Sequence, residues 1–162
     1  MQKKYSIKFL ITAALAFFLS SFAVNAQSCN SELSVFKNRN ARSAAVNNAT
    51  RFQMELTNNS NSSQSYEIHY EIFDDPCEKI NASNSSARSS ELNVAIYAND
   101  TRTSVIVVPA RSKKSFLAEI SVTQGAKLNV WKCVRLLAVS DACSNQEVQQ
   151  LLKVYIPDPT EN

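Results

Sequence analysis

The only histidine of the chain, His69, lies between two acidic residues at alternate positions, Glu67 and Glu71. Histidine and glutamate both bind metals and carry protons, so the triplet is a candidate metal centre or general base. If the segment is a β-strand, the three side chains share one face, but alternate residues stand roughly 7 Å apart, which is too wide for one ion. The pattern therefore favours a solvated strand face, and we predict no metal site and no cofactor.

The sequence gives only weak support for other kinds of catalytic site. A serine hydrolase would need His69 as its base, but there is no Gly-x-Ser-x-Gly motif, and Gly125 is the only glycine, so a glycine-rich phosphate loop is excluded. The adjacent carboxylates Asp74 and Asp75 follow a predicted strand, where turn capping is the usual role and a calcium site is the alternative. We predict that the protein is not an enzyme and has no catalytic residues.

The N-terminal segment has the three parts of a secretory signal peptide. Lys3, Lys4 and Lys8 precede an apolar run at 9–18, and a Val-Asn-Ala ending predicts cleavage after Ala26. The apolar run is shorter than the roughly 20 residues of a membrane helix, so we predict no membrane span. We therefore divide the chain into a cleaved leader, 1–26, and a secreted part.

The secreted part, residues 27–162, suits a single domain with a sizeable core. The whole chain has a formal charge of +3, the leader supplies three lysines and no acid, and the secreted part is therefore neutral. A neutral chain has no basic field to attract nucleic acid or an anionic membrane. An alternative to free secretion is a lipoprotein anchored through Cys29, although Ala26 and Gln27 fit a lipidation site poorly.

Four cysteines follow the leader, and an even number in an exported protein indicates disulfides. None of the spacings is Cys-x-x-Cys, so neither a zinc knuckle nor a redox pair is indicated. The four are Cys29, Cys77, Cys133 and Cys143. We predict that all of them form structural bridges, for which four cysteines allow three connectivities.

Short β-strands are the elements that would position these residues. Phe52, Met54 and Leu56 alternate with polar residues, and the same period of two continues through 65–73. Comparable patterns predict further strands at 32–37, 92–96, 103–108, 116–122, 129–143 and 148–156. About seven or eight strands without intervening helices indicate an all-β fold, an antiparallel β-sandwich.

The stretch 129–143 is the longest nearly charge-free apolar run of the secreted part, and it contains the only tryptophan, Trp131. Its composition predicts a central strand with both faces covered. Trp131, Tyr66 and Tyr70 are predicted to belong to the core. The alternative is a stacking platform for a glycan, which would require these rings to be exposed.

Four segments resemble, in this order, bacterial immunoglobulin-like (fibronectin type III-like) modules of exported proteins. They are F-Q-M-E-L-T-N-N-S at 52–60, S-Y-E-I at 65–68, V-P-A-R-S-K-K-S-F-L-A-E-I-S-V at 108–122 and the strand that contains Trp131 and Cys133. The resemblance covers residues 31–157, and Arg111 stands where the family usually has glycine. The opening E-L-S-V-F-K is also similar to small secreted proteins of Bacteroidetes. The resemblance implies an immunoglobulin-like sandwich and brings no catalytic residues.

The topology that the resemblance implies also suggests which cysteines meet. Cys29 and Cys143 would lie at one end of the sandwich, and Cys77 and Cys133 at the other, which implies the bridges Cys29–Cys143 and Cys77–Cys133. The alternative, Cys133–Cys143 with Cys29–Cys77, would join the two ends and fits disulfide geometry worse.

These expectations combine into one functional hypothesis. The chain is a secreted, non-catalytic immunoglobulin-like module with a binding or structural role at the cell surface or outside the cell, and its partner is an unidentified protein or glycan. The alternatives are a carbohydrate-binding module and the surface lipoprotein anchored through Cys29.

Overall fold

The computed structural model describes residues 30–74, 76–77, 89–143 and 147–160. The predicted signal peptide lies outside these ranges, and so do Cys29 and Asp75. Within them, no helix is long and apolar enough to cross a lipid bilayer. The strands are β1 (Ser31–Val35), β2 (Ala41–Ser43), β3 (Thr50–Asn58), β4 (Gln64–Asp74), β5 (Leu92–Ala98), β6 (Thr101–Arg102), β7 (Val105–Val108), β8 (Ser112–Val122), β9 (Val130–Ser140) and β10 (Glu147–Ile156).

The strands form two five-stranded sheets. Sheet A has the order β1-β3-β8-β5-β6, and sheet B has the order β2-β10-β9-β4-β7. Neighbouring strands are antiparallel except for β2, which runs parallel to β10. The predicted all-β immunoglobulin-like sandwich is therefore confirmed. It is built from more strands than the seven or eight expected, because β2 and β6 are too short to leave an alternating pattern in the sequence.

Alternation of side chains places the core between the sheets. Phe52, Met54 and Leu56 are completely buried on β3, as their spacing predicted. Most of the longer strands contribute buried residues at every second position, among them Phe116, Ala118, Ile120, Val134, Leu136, Ala138, Leu152, Val154 and Ile156. Each large aliphatic or aromatic side chain buried in this way contributes about 1.5–3 kcal/mol, which makes this layer the main source of stability.

The predicted central strand is β9, which lies between β4 and β10 in sheet B. Its inward residues are buried, but on its outward side Arg135 and Leu137 are only partly covered. The prediction that both faces are covered is therefore wrong for the outer face. The exception is a small outer cluster in which Phe73, Cys77 and Cys133 are buried together.

One of the two predicted disulfides is shown. Cys77 and Cys133 are bonded, with their Cα atoms 5.5 Å apart, which also excludes a bridge between Cys133 and Cys143. Cys143 lies at the opposite end of sheet B, in a 3-10 turn after β9, and is itself a disulfide-bonded cysteine. Its predicted partner, Cys29, lies outside the described residues, so the Cys29–Cys143 pairing stays a prediction.

Candidate functional site

Trp131 is exposed on the outer face of sheet B, near the first residue of β9. Its exposed fraction is 40%, so the prediction that it belongs to the core is wrong. The reason is parity: successive residues of a strand face opposite sides, and Trp131 shares the outward side with Cys133 and Arg135. Val134 and Leu136 occupy the inward positions instead.

Trp131 is paired with a second aromatic side chain. Its cross-strand neighbour on β10 is Tyr155, and the two ring centroids lie 5.2 Å apart with a tilt of 44°. Tilted aromatic pairs at this distance attract each other through their ring quadrupoles. The Tyr155 hydroxyl group donates a hydrogen bond to Asn129 Oδ1 at 3.2 Å, which fixes the position of the second ring. Together the two rings form an apolar surface that points into solvent.

The turn before β9 holds this pair in place. Asn129 has a left-handed backbone with φ of 56°, which asparagine tolerates better than most residues. Its backbone NH group donates to the carbonyl oxygen of Ile156 at 2.7 Å, and its Oδ1 atom accepts a bond from the NH group of Asp158 at 3.0 Å. The turn is thereby fixed to the end of β10.

An open cleft of about 410 Å³ lies beside Trp131. Its lining residues are Asp74, Lys127, Asn129, Val130, Trp131 and Lys132. The Asp74 and Lys127 side chains are exposed, so a carboxylate and an ammonium group both face solvent near the indole ring. The volume falls within the range of small-molecule binding sites.

Lys132 forms the buried wall of this cleft. It occupies an inward position of β9, and only 6% of its side chain is exposed. Its ammonium group donates to Asp74 Oδ1 at 2.5 Å and also pairs with the carboxylate of Glu91, the residue just before β5. Because β9 belongs to sheet B and β5 to sheet A, Lys132 connects the two sheets.

The charges of this cluster stabilise one another. Burial disfavours the charged form of Lys132, but its bonds to Asp74 and Glu91 outweigh that effect and raise the pKa of the ammonium group. The pKa of Glu91 is lowered, first by Lys132 and then by the backbone NH group of Lys127, which lies 2.8 Å from Glu91 Oε1. Both groups therefore remain charged at neutral pH.

The same end of the sandwich carries an apolar groove of about 420 Å³, formed by residues 45–48, 125–128 and 156–159. Val46 and Leu128 are exposed on its walls. The loop between β8 and β9 borders both the groove and the cleft. We call this part of the molecule, where β4 ends and β9 begins, the Trp131 end.

The structure does not bring the other predicted site residues into this cleft. His69 and Glu67 are exposed on the outer face of β4, with His69 Nε2 3.5 Å from Glu67 Oε2, while Glu71 pairs with Arg135. In the part of the chain that the structure describes, no three His, Cys, Asp or Glu residues are grouped to hold a metal ion. Of the two carboxylates of the alternative calcium site, only Asp74 lies within the described residues, and its carboxylate pairs with Lys132.

Tyr66 and Tyr70, the two tyrosines predicted to lie in the core, differ in burial. Tyr66 is buried, as predicted, and its hydroxyl group lies 2.6 Å from Ser31 Oγ. Tyr70 is 46% exposed, so the prediction that it belongs to the core is wrong. Neither residue lines the cleft beside Trp131.

Sequence reasoning missed Lys132, Glu91 and Tyr155 as site residues. One signal was available for Lys132, because it shares the inward parity of Val134 and Leu136, and a charge at such a position needs partners. Glu91 and Tyr155 left no comparable signal, since their role depends on which strands become neighbours.

The two sheets and their strand order place the chain in the class of immunoglobulin-like β-sandwiches. A family 123 glycoside hydrolase from Clostridium perfringens aligns with a TM-score of 0.54 and 7% identity, over 82% of this chain and 28% of that one. The periplasmic chaperone SfaE aligns with a TM-score of 0.47 and 14% identity, over 80% of this chain and 58% of that one. The PapD-like domain 7 of human CEP192 aligns with a TM-score of 0.44 and 7% identity, over 81% of this chain and 88% of that one.

These similarities concern the fold alone. The chain spans less than two thirds of the glycoside hydrolase and of the chaperone. No family model matches the sequence, and a search of curated proteins gave no match either. The resemblance to secreted proteins of Bacteroidetes therefore stays an expectation from the sequence.

Proposed function

We propose that the protein is a secreted, non-catalytic binding module whose ligand surface is the Trp131 end. The observation that carries this proposal is the 40% exposure of Trp131, the only tryptophan of the chain. Burying a large aromatic side chain is strongly favourable, and nearby core positions are filled by smaller residues. Tryptophan is also among the residues that contribute most to binding at interfaces. A solvent-facing tryptophan fixed beside a cleft is therefore best explained by a ligand.

The charges in the cleft support a role in binding rather than in catalysis. A general acid or base works best when its pKa lies near the working pH. The pKa of Lys132 is raised and that of Glu91 is lowered, so both shifts move away from neutrality. These groups hold the cleft in shape and are poorly suited to exchanging protons with a substrate.

An extracytoplasmic location fits the Cys77–Cys133 disulfide, because such bonds persist in oxidising compartments. Secretion through the leader at 1–26 is the proposed route. The lipoprotein alternative would require Cys29 to carry lipid instead of a bridge.

The proposal is tested by binding of the secreted chain, 27–162, to fractions of the cells that produce it. Fluorescently labelled protein is added separately to the polysaccharide and protein fractions of the cell envelope and the medium. We expect saturable binding to one fraction, reduced at least about tenfold by Trp131→Ala. Tyr70→Ala is the matched control, because Tyr70 is equally exposed but lies outside the cleft.

Circular dichroism and thermal unfolding establish that each variant is folded. Binding that Trp131→Ala and Tyr70→Ala leave equally intact would overturn the Trp131 end as the ligand surface. No saturable binding to any fraction would overturn the proposed binding function itself.

A further inference from the structure

We infer that the cleft beside Trp131 takes a neutral saccharide, with one sugar ring stacked on the Trp131–Tyr155 pair. The inference rests on the proposed binding function and specifies the chemical class of its ligand. Three observations carry it: the paired aromatic surface, the balance of charges in the cleft, and the size of the cleft.

The aromatic pair offers the kind of surface that a sugar ring requires. One face of a pyranose ring presents C–H groups and is apolar, and such a face packs on the electron-rich face of an aromatic side chain. Trp131 and Tyr155 lie 5.2 Å apart with a tilt of 44°, so they form a shallow angled surface instead of a single flat plate. The Tyr155 ring is held before any ligand arrives, because Asn129 Oδ1 accepts a hydrogen bond from its hydroxyl group and the Asn129 backbone is bonded to the end of β10. Trp131 packs against that ring. Such preorganisation lowers the entropy cost of binding.

The charges around the cleft cancel. Lys127 and Lys132 line the cleft with two cations. Asp74, which also lines it, and Glu91, which lies behind Lys132, supply two carboxylates, and both carboxylates pair with Lys132. A phosphate, sulfate or carboxylate ligand would be attracted by the lysines but repelled by Asp74. A neutral ligand avoids this conflict. Its hydroxyl groups can donate to the exposed Asp74 carboxylate and accept from the exposed Lys127 ammonium group.

The size of the cleft favours a small ligand unit over a protein surface. A volume of about 410 Å³ is typical of a site for a small molecule. A stable protein interface needs roughly 800 Å² from each partner, which extends far beyond a cleft of this size. A short stretch of a glycan fits both the volume and the open ends of the cleft.

The test uses the secreted chain and four neutral oligosaccharides: cellohexaose, xylohexaose, mannohexaose and chitohexaose. Because Trp131 is the only tryptophan, intrinsic fluorescence reports directly on the cleft. We expect at least one of these probes to shift the emission to shorter wavelength in a saturable manner. The dissociation constant should change by less than about twofold between low and high salt, since no net charge is involved.

Variants are compared by isothermal titration calorimetry with the sugar that binds. We expect Trp131→Ala to weaken binding at least about tenfold and Lys127→Ala to weaken it about threefold, while Tyr70→Ala leaves it unchanged. Trp131→Phe should restore part of the affinity, because it returns an aromatic face without the full indole surface. Thermal unfolding of each variant separates loss of the ligand contact from loss of the fold.

Four outcomes would overturn the inference. No response to any of the four neutral probes would do so, as would a stronger, salt-sensitive response to polygalacturonate or heparin oligosaccharides. Binding confined to the protein fraction, with the same dependence on Trp131, would overturn the saccharide but leave the proposed binding module standing. If no fraction shows binding that depends on Trp131, both the saccharide inference and the proposed ligand surface are overturned.

Discussion

Left-handed turns in this chain are made almost entirely by residues other than glycine. Asn38, Asn99, Asp100 and Asn129 all have positive φ, and asparagine and aspartate tolerate that region through local hydrogen bonds. Arg111, with φ of 51°, has no such advantage. It stands at the position where the resembling family usually has glycine, so the structure gives a physical reason for that preference.

Replacing Arg111 by glycine and by alanine separates its backbone strain from its side-chain contact. Both variants lose the hydrogen bond from Arg111 Nε to Asn61 Oδ1, but only glycine relieves the left-handed backbone. We expect Arg111→Gly to have a free energy of unfolding about 1 kcal/mol higher than Arg111→Ala. Chemical denaturation of both variants measures the difference.

Ala110→Gly provides the control, since the neighbouring Ala110 has no positive φ to relieve. It should lower the free energy of unfolding by about 0.5–1 kcal/mol, because glycine gains freedom in the unfolded chain. Equal stabilities of Arg111→Gly and Arg111→Ala would show that the turn carries no backbone strain.

Asn58 is the polar residue on which the opposite end of the sandwich depends. It is completely buried, and its amide group donates to the backbone carbonyl oxygens of Val108 and Pro109 at 3.0 and 3.1 Å. Its Oδ1 atom accepts bonds from the backbone NH and the hydroxyl group of Ser60. The residue thereby connects the loop after β3 to the turn after β7.

We expect Asn58→Ala to lower the free energy of unfolding by about 2–4 kcal/mol, because several buried backbone groups would lose their partner. Asn59→Ala is the matched control: Asn59 is the next residue and is exposed, and its side chain makes only a long contact of 3.5 Å to Asn30 Oδ1. Its backbone NH group donates to the carbonyl oxygen of Asn30 at 2.8 Å, a bond that the substitution keeps. It should change stability by less than about 0.5 kcal/mol. Denaturation curves that show similar losses for both variants would contradict this role of Asn58.

At the scale of strands, Lys132 and Glu91 connect the two sheets at the Trp131 end. Glu91 also accepts a bond from the NH group of Lys127, and its own carbonyl oxygen accepts from the NH group of Thr123 at 2.9 Å. The start of β5 is therefore fixed both to β9 and to the loop after β8.

This connection predicts a loss of stability in acid. The pKa of Glu91 in the folded chain lies below its ordinary value of 4.5, so below that pH the unfolded chain takes up the proton first. The stabilisation is therefore complete above about pH 5 and declines as the pH falls through the lowered pKa. We expect Glu91→Gln to lower the free energy of unfolding at pH 7 by about 1–3 kcal/mol and to flatten its decline between pH 5 and pH 3. Denaturation at a series of pH values measures both effects.

Glu55→Gln is the control for Glu91. Glu55 pairs with Lys113 at 2.7 Å, but on the exposed outer face of sheet A, where such pairs contribute less than about 1 kcal/mol. Glu55→Gln should leave nearly unchanged both the free energy of unfolding at pH 7 and its decline between pH 5 and pH 3. If the free energy of unfolding of Glu91→Gln falls between pH 5 and pH 3 as steeply as that of the unchanged protein, the Lys132–Glu91 pair does not cause this fall.

The sequence predicts long strands well and short ones poorly. The alternation in β3 and β8 identifies their buried residues because each strand has one face in the core and one in solvent. The edge strands β2 and β6 have three and two residues and no such alternation, so neither was predicted. Trp131 was misplaced because an apolar composition was taken to mean burial on both faces. The outward parity of Arg135 indicates the opposite.

At the scale of the molecule, the two ends of the sandwich differ in chemistry. The Trp131 end carries the aromatic pair, the charged cleft and the Cys77–Cys133 bridge. The opposite end carries the buried polar network of Asn58, with Cys143 nearby. The Trp131 end leaves the indole ring and the Asp74 carboxylate exposed, whereas the Asn58 side chain at the opposite end is buried and bonded within the protein. This difference could not be predicted from the sequence, because it depends on which loops meet.

The second disulfide completes the description of the opposite end. Ser31, the first residue of β1, lies with its Oγ atom 2.6 Å from the Tyr66 hydroxyl group, and Tyr66 is the cross-strand partner of Ser140. The 3-10 turn that contains Cys143 follows Ser140 directly. Cys143 is itself disulfide-bonded, and Cys29 precedes Ser31 by two residues in the sequence. We expect a non-reducing peptide map of the secreted protein to show one cross-linked fragment containing Cys29 and Cys143, separate from the Cys77–Cys133 fragment.

The same peptide map decides between the secreted form and the lipoprotein. Reduction before digestion serves as the control, because it should release both cross-linked fragments as single peptides. A diacylated Cys29, or a free thiol at Cys143, would contradict the pairing and favour an anchored chain. A bridged Cys29 leaves no thiol for lipid, so the N-terminus would be held at the end opposite to Trp131. The proposed ligand surface would then lie at the end of the sandwich opposite to this bridge.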